Sequence, residues 1–122
     1  MPSAFIDDAY TEEGVIAANP GIWDEFRFTY RPATTDEVTQ YLSDVDRWEL
    51  THKPTANYAS NTNKPAQHPA MKFIADHLVQ WSFAAEINPA NVGKLKNQAR
   101  FRIGNIIQGY EASDAAAADA KN

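Results

Sequence analysis

A chain of 122 residues, 43% of them apolar, with a net charge of −5, has material for one modest core, and its acid excess excludes unspecific attraction to nucleic acid. The absence of Cys excludes a disulfide staple, a thiolate metal site and a cysteine nucleophile, and no apolar run approaches the roughly 20 residues of a membrane helix. The charge is uneven: residues 1 to 50 hold eleven acids against three bases, residues 51 to 110 seven bases against two acids.

Residues 1 to 25 carry Phe5, Ile6, Val15, Ile16, Ile22 and Trp23 with Pro2, Gly14, Pro20 and Gly21 and no sustained period, which predicts an irregular N-terminal arm. Such an arm packs on its own domain or on a neighbouring subunit. Asp7, Asp8, Glu12 and Glu13 stand where a signal peptide has a basic and then an apolar stretch, so a cytosolic protein is expected. From Phe26 to Arg31, aromatic residues alternate with polar ones, the pattern of one short half-buried strand or hairpin. Pro32 ends it, and Thr34 with Glu37 three residues on forms a capping box.

A first helix is predicted over 35–50, with Val38, Tyr41, Leu42, Val45 and Trp48 or Glu49 as its stripe. Thr51 to Gln67 reads as a long loop in which Tyr58 is the one large apolar group. Pro69 suits the first turn of a second helix running to Phe83, its apolar band being Met71, Ile74, Leu78 and Trp81 widened by Phe73, Ala75, Val79 and Phe83. Asn88 and Pro89 start a third, which carries Val92, Leu95, Ala99, Ile103, Ile106 and Tyr110 to a stop at Gly109; Gly93 and Gly104 are points where it splits. These elements predict a mainly α fold: an arm over 1–25, a small helical domain over 26–110 with one short N-terminal strand, and a flexible C-terminal tail over 111–122.

Chemistry-bearing residues do not converge. No two of His52, His68 and His77 are four apart on a helix, so no metal site is read from them, and no cofactor motif appears. Asp7 with Asp8, Glu12 with Glu13 and Asp24 with Glu25 read as solvated charge, and no Ser has a nucleophile-elbow context. The expectation is a protein that is not an enzyme. Lys94, Lys96, Arg100 and Arg102 read as the solvated side of the last helix, and the opposite charges of the two halves either face each other within one fold or drive head-to-tail self-association.

The order of parts resembles the small tail assembly chaperones of tailed bacteriophages. The resemblance spans residues 22 to 114 and rests on Phe26-Arg27-Phe28-Thr29-Tyr30-Arg31-Pro32-Ala33, the following Thr-Thr-Asp-Glu-Val-Thr-Gln-Tyr-Leu, the segment Ala75 to Phe83, and Ile87-Asn88-Pro89-Ala90-Asn91-Val92 with Ile106-Ile107-Gln108-Gly109-Tyr110. Its departures are the long loop between the first two helices and a short link after Phe83. The resemblance implies a non-enzymatic protein of the host cytoplasm that binds the helical tape measure protein before the tail tube closes around it, with the tail tube protein as a further partner and no membrane or nucleic acid involved. A helix-rich domain with spare apolar faces suits that task, because a long amphipathic partner aggregates unless its stripe is covered. Phe73, Val79 and Phe83 on the second helix, with Trp23 on the arm, are the expected partner-binding face. The alternative is a virion structural subunit, a head-tail connector or minor tail protein forming ring or tube contacts.

Overall fold

A computed structural model describes residues 5–6, 9–52 and 67–114. Tyr58 and most of the predicted loop lie outside the described residues, as does the tail beyond residue 114. In chain order the elements are β1 (Glu12–Ile16), β2 (Phe26–Tyr30), α1 (Thr35–His52), α2 (Pro69–His77), β3 (Leu78–Trp81), α3 (Pro89–Val92) and α4 (Asn97–Gln108). The strands form a three-stranded antiparallel sheet in the order β1-β2-β3, with the predicted strand at its centre. The fold is therefore mixed α/β, which corrects the expectation of a mainly α domain with a single strand and an irregular arm.

Two strands were misread for physical reasons. β1 hides in the expected arm because its core-side position opposite Phe28 is Gly14, which shows no hydrophobicity, while Val15 and Ile16 are buried on successive positions and break the alternation. The Phe28 ring occupies the space Gly14 leaves: a Cβ added there would lie 2.4 Å from Phe28 Cζ. β3 hides in the second helix because Ile74, Leu78 and Trp81 follow helical spacing. The helix instead ends at His77, Leu78 turns extended at φ −85° and ψ 130°, and its amide still donates to Ile74 O. Pairing of Phe28 with Trp81 and Thr29 with Gln80, neighbours visible only in three dimensions, then outweighs the local pattern. The register shifts between Thr29 and Tyr30 because Val79 is an extra, unpaired residue of β3, a bulge on that strand, and its side chain is exposed.

The starts and stops match the residues that set them. Thr34 N–H donates to Glu37 Oε1 at 2.9 Å and Glu37 N–H donates to Thr34 Oγ1 at 3.2 Å, the reciprocal capping box, a feature worth about 1 kcal/mol. Asn88 accepts from the Asn91 amide at 2.8 Å, and Gly109 at φ 85° ends α4 in the left-handed conformation that favours glycine. The last helix is split: α3 stops at Val92 and α4 begins at Asn97, the break falling at Gly93.

Phe26, Phe28, Tyr30 and Trp81 from the sheet pack with Phe73 and Ile74 of α2, Val92 of α3 and Ala99, Ile103, Ile106 and Ile107 of α4. The two sheet edges differ. Along β1, Val15 N–H donates to Ser113 Oγ (3.2 Å), Asp114 N–H to Val15 O (2.8 Å) and Ala17 N–H to Asp114 Oδ2 (2.8 Å). Arg102 fixes this clip by donating to both carboxylate oxygens of Asp114, at 2.6 and 3.1 Å, and to Glu111. Residues 111–114 of the expected tail are thus part of the fold. β3 forms the other edge, and the stretch from Leu78 to Ala85 holds no charged residue.

Candidate functional site

Of the four residues expected to form one partner-binding face, the structure brings Phe83 close to the sheet and leaves the others apart. Phe83 follows β3 and lies 5.0 Å from Phe26 and 5.2 Å from Trp81 between ring centroids. Val79 sits on the β3 edge, 54% exposed. Trp23 lies in the β1–β2 connection, packs against the core and donates its indole N–H to Ala17 O at 3.0 Å. Phe73 is buried in α2, its ring stacked on Tyr41 at 4.3 Å. With α2 ending at His77, these side chains share no helix face.

A different concave surface forms where α1 and α4 flank α2. Its cavity, about 290 Å³, is bounded by Tyr41 on one wall, Met71 and Ile74 at the floor, and Arg100, Phe101 and Gly104 on the other wall. Gly104 has no side chain, so the Ile74 side chain passes 3.5 Å from where its Cβ would be and the floor stays open. One end is closed where Ala33 N–H donates to Ile107 O at 2.9 Å, and the other where the Trp48 ring meets His68 edge-on at 4.9 Å. Along α4 the lining runs from Arg100 to Gln108, about 12 Å of helix.

The α1 wall follows from helical geometry. Successive residues turn by about 100°, and Tyr41 faces α2. Gln40 and Asp44 lie to one side of it, in a separate cavity with Lys72 and Asp76. Val38, Leu42, Val45 and Glu49 therefore lie on the side of the groove. None of the α1 side chains from Thr35 to Thr51 is fully buried, and Leu42 remains 47% exposed. Across the groove Phe101 is 58% exposed, with the Arg100 guanidinium 5.4 Å from its ring centroid. Tyr41 from α1 and Phe101 from α4 thus bring aromatic surface to the two walls of the cavity.

Electrostatics support the same layout. Burial pushes the Tyr41 hydroxyl above its ordinary pKa, with the Arg100 charge pulling the other way. Burial likewise holds the His68 ring below its usual range; the α4 cation Arg100 adds to this and the α1 anion Glu49 opposes it. His68 also caps α2 by accepting the Ala70 amide at 3.0 Å. His77, 5% exposed, links α1 to α2: Nδ1 lies 2.8 Å from Phe73 O and Nε2 3.1 Å from Glu37 Oε2. Both partners are acceptors, so whichever ring nitrogen carries hydrogen has one to donate to. Among the described residues, no group of three or more His, Cys, Asp or Glu is placed to hold a metal ion, and no helix is long and apolar enough to cross a membrane.

The sequence pattern shows the α1 stripe as one packing face and reads Arg100, with Lys94, Lys96 and Arg102, as the solvated side of the last helix. The signal that was present is stripe width: Val38, Leu42 and Val45 beside Tyr41 and Trp48 make an apolar band wider than one neighbouring helix covers. In comparisons with family models, curated proteins and solved structures, the chain matches none of them.

Proposed function

We propose that this chain is a non-enzymatic tail assembly chaperone of a tailed bacteriophage, which takes an amphipathic helix of the tape measure protein into the groove between α1 and α4 and keeps that protein soluble in the host cytoplasm. The observation that carries the reading is the groove itself: α1 and α4 flank α2 around a cavity lined by Tyr41, Met71, Ile74 and Phe101, with Leu42 exposed next to Tyr41 on α1. Helix-in-groove recognition needs this shape, an apolar floor with side chains free to surround a stripe. A second reading, a virion structural subunit, draws on the uncharged β3 edge with exposed Val79, because such an edge is a template for pairing with another chain.

Co-expression with the tape measure protein of the same genome, followed by size-exclusion chromatography with light scattering, tests the first reading. A soluble complex is expected, with the tape measure protein precipitating when the chaperone is omitted. Leu42→Ser with Phe101→Ser, both at exposed positions, should weaken the complex at least tenfold while leaving the circular dichroism spectrum unchanged. A defined ring of this chain alone, with no complex, would support the structural subunit instead.

A further inference from the structure

The two walls of the groove carry opposite charge. α1 holds Asp36, Glu37, Asp44, Asp46 and Glu49 against Arg47; α4 holds Arg100 and Arg102 and no acid. On the groove side this contrast rests on Glu49, placed there by its helical position on α1, and on Arg100, which lines the cavity from α4. Arg102 is committed to Asp114 and Glu111, which leaves Arg100, hydrogen-bonded to Asn97 Oδ1, as the α4 cation on the groove side among the described residues.

We infer that the groove is directional: it takes an amphipathic helix with one acidic and one basic flank, and the charges of its walls decide which way that helix runs. The inference rests on the helix-binding reading above. A helix laid with its apolar stripe on the α2 floor exchanges its left and right flanks when turned end for end, so walls of opposite sign distinguish the two directions.

The handedness can be worked out. α1 runs from the Ala33–Ile107 end toward the Trp48–His68 end, and α4 runs the other way. Looking along α1 from its N-terminus, with α2 below, successive residues of a right-handed helix advance clockwise. Val38, Leu42 and Glu49, which follow the α2-facing direction in that sense, therefore place the groove to the left of α1 and α4 beyond it. The same construction on α4, from its core residues Ala99, Ile103 and Ile107 to Phe101 and Gly104, returns the groove to the side of α1. In a heptad with leucine at the first and fourth positions, the fifth position lies clockwise of the stripe and the seventh anticlockwise. A helix with acids at the fifth and bases at the seventh position puts its acids against Arg100 only when it runs parallel to α1. Exchanging the two sets reverses the direction.

Two synthetic 18-residue peptides of identical composition test this, one with glutamate at the fifth and lysine at the seventh heptad position, the other with these exchanged, each bearing a nitroxide at its N-terminus. Paramagnetic broadening of the protein's amide signals reports where that end lies. The first peptide should broaden Val38 and Gln108, the second Trp48 and His68, and the double variant Glu49→Arg with Arg100→Glu should exchange the two patterns. At 0.5 M salt each peptide should broaden both ends while remaining bound, because the exposed charges are screened. Binding with the same orientation for both peptides, or with mixed orientations at low salt, overturns the directional inference and leaves the groove as a helix site. Failure of either peptide to bind at all overturns the groove reading together with it.

Discussion

At the scale of single residues, two positions hold more of the fold than their size suggests. Gly14 has ordinary backbone angles, and what fixes it is the Phe28 ring lying across it, a contact of 2.4 Å for any added Cβ. Gly14→Ala is expected to destabilise the domain by about 1–3 kcal/mol, the usual cost of overpacking, which denaturant titration measures. Asp114 acts through charge. Hydrogen bonds from Arg102, opposed by partial burial and helped by the Ala17 amide, hold its carboxyl below the usual range. A depressed folded pKa contributes stability that is full above the ordinary carboxylate range and is lost as pH falls through it. Asp114→Asn should therefore lower stability at pH 7 and flatten the loss of stability on acidification, read as the thermal midpoint between pH 7 and pH 3. The capping pair Thr34 and Glu37 was legible from sequence because a cap is chemistry within four residues; the Gly14 and Asp114 contacts were not, since their partners lie far along the chain.

At the scale of elements, α1 differs from its neighbours. It touches the domain through Tyr41 on Phe73, Trp48 on His68 and Glu37 on His77, whereas α4 buries Ala99, Ile103, Ile106 and Ile107. Local opening follows contact, so hydrogen exchange should show amides of Val38 to Trp48 exchanging at least tenfold faster than those of Ile103 to Ile107, and occupation of the groove should narrow that gap. Equal protection of the two helices in the free protein would mean that α1 is held more firmly than its contacts indicate. The sequence made α1, α4 and β2 readable through sustained periods, 3.6 for the helices and 2 for the strand. It concealed β3 because four residues are too few to establish a period and their spacing continued that of α2. β1 was concealed because a glycine stood on the core side of the strand.

At the scale of the whole molecule, the uneven charge seen in the sequence becomes a difference between two helices facing across a gap, with the α1 acids on one side and Arg100 on the other. Composition showed the imbalance; only the tertiary arrangement turns it into two walls. The clip on β1 has a further consequence in time. Val15 and Asp114 are joined by a backbone hydrogen bond although they stand 99 residues apart, and Arg102, which holds Asp114, belongs to α4. β1 is synthesised before the other elements of the domain and thus waits with one edge open until α4 and residues 111–114 have left the ribosome. Contacts of such sequence separation slow folding, because the loop must close before they reward it. Until residues 113 and 114 are made, the β1 edge lacks the hydrogen-bond partners that cover it in the folded domain and is open to pairing with other chains.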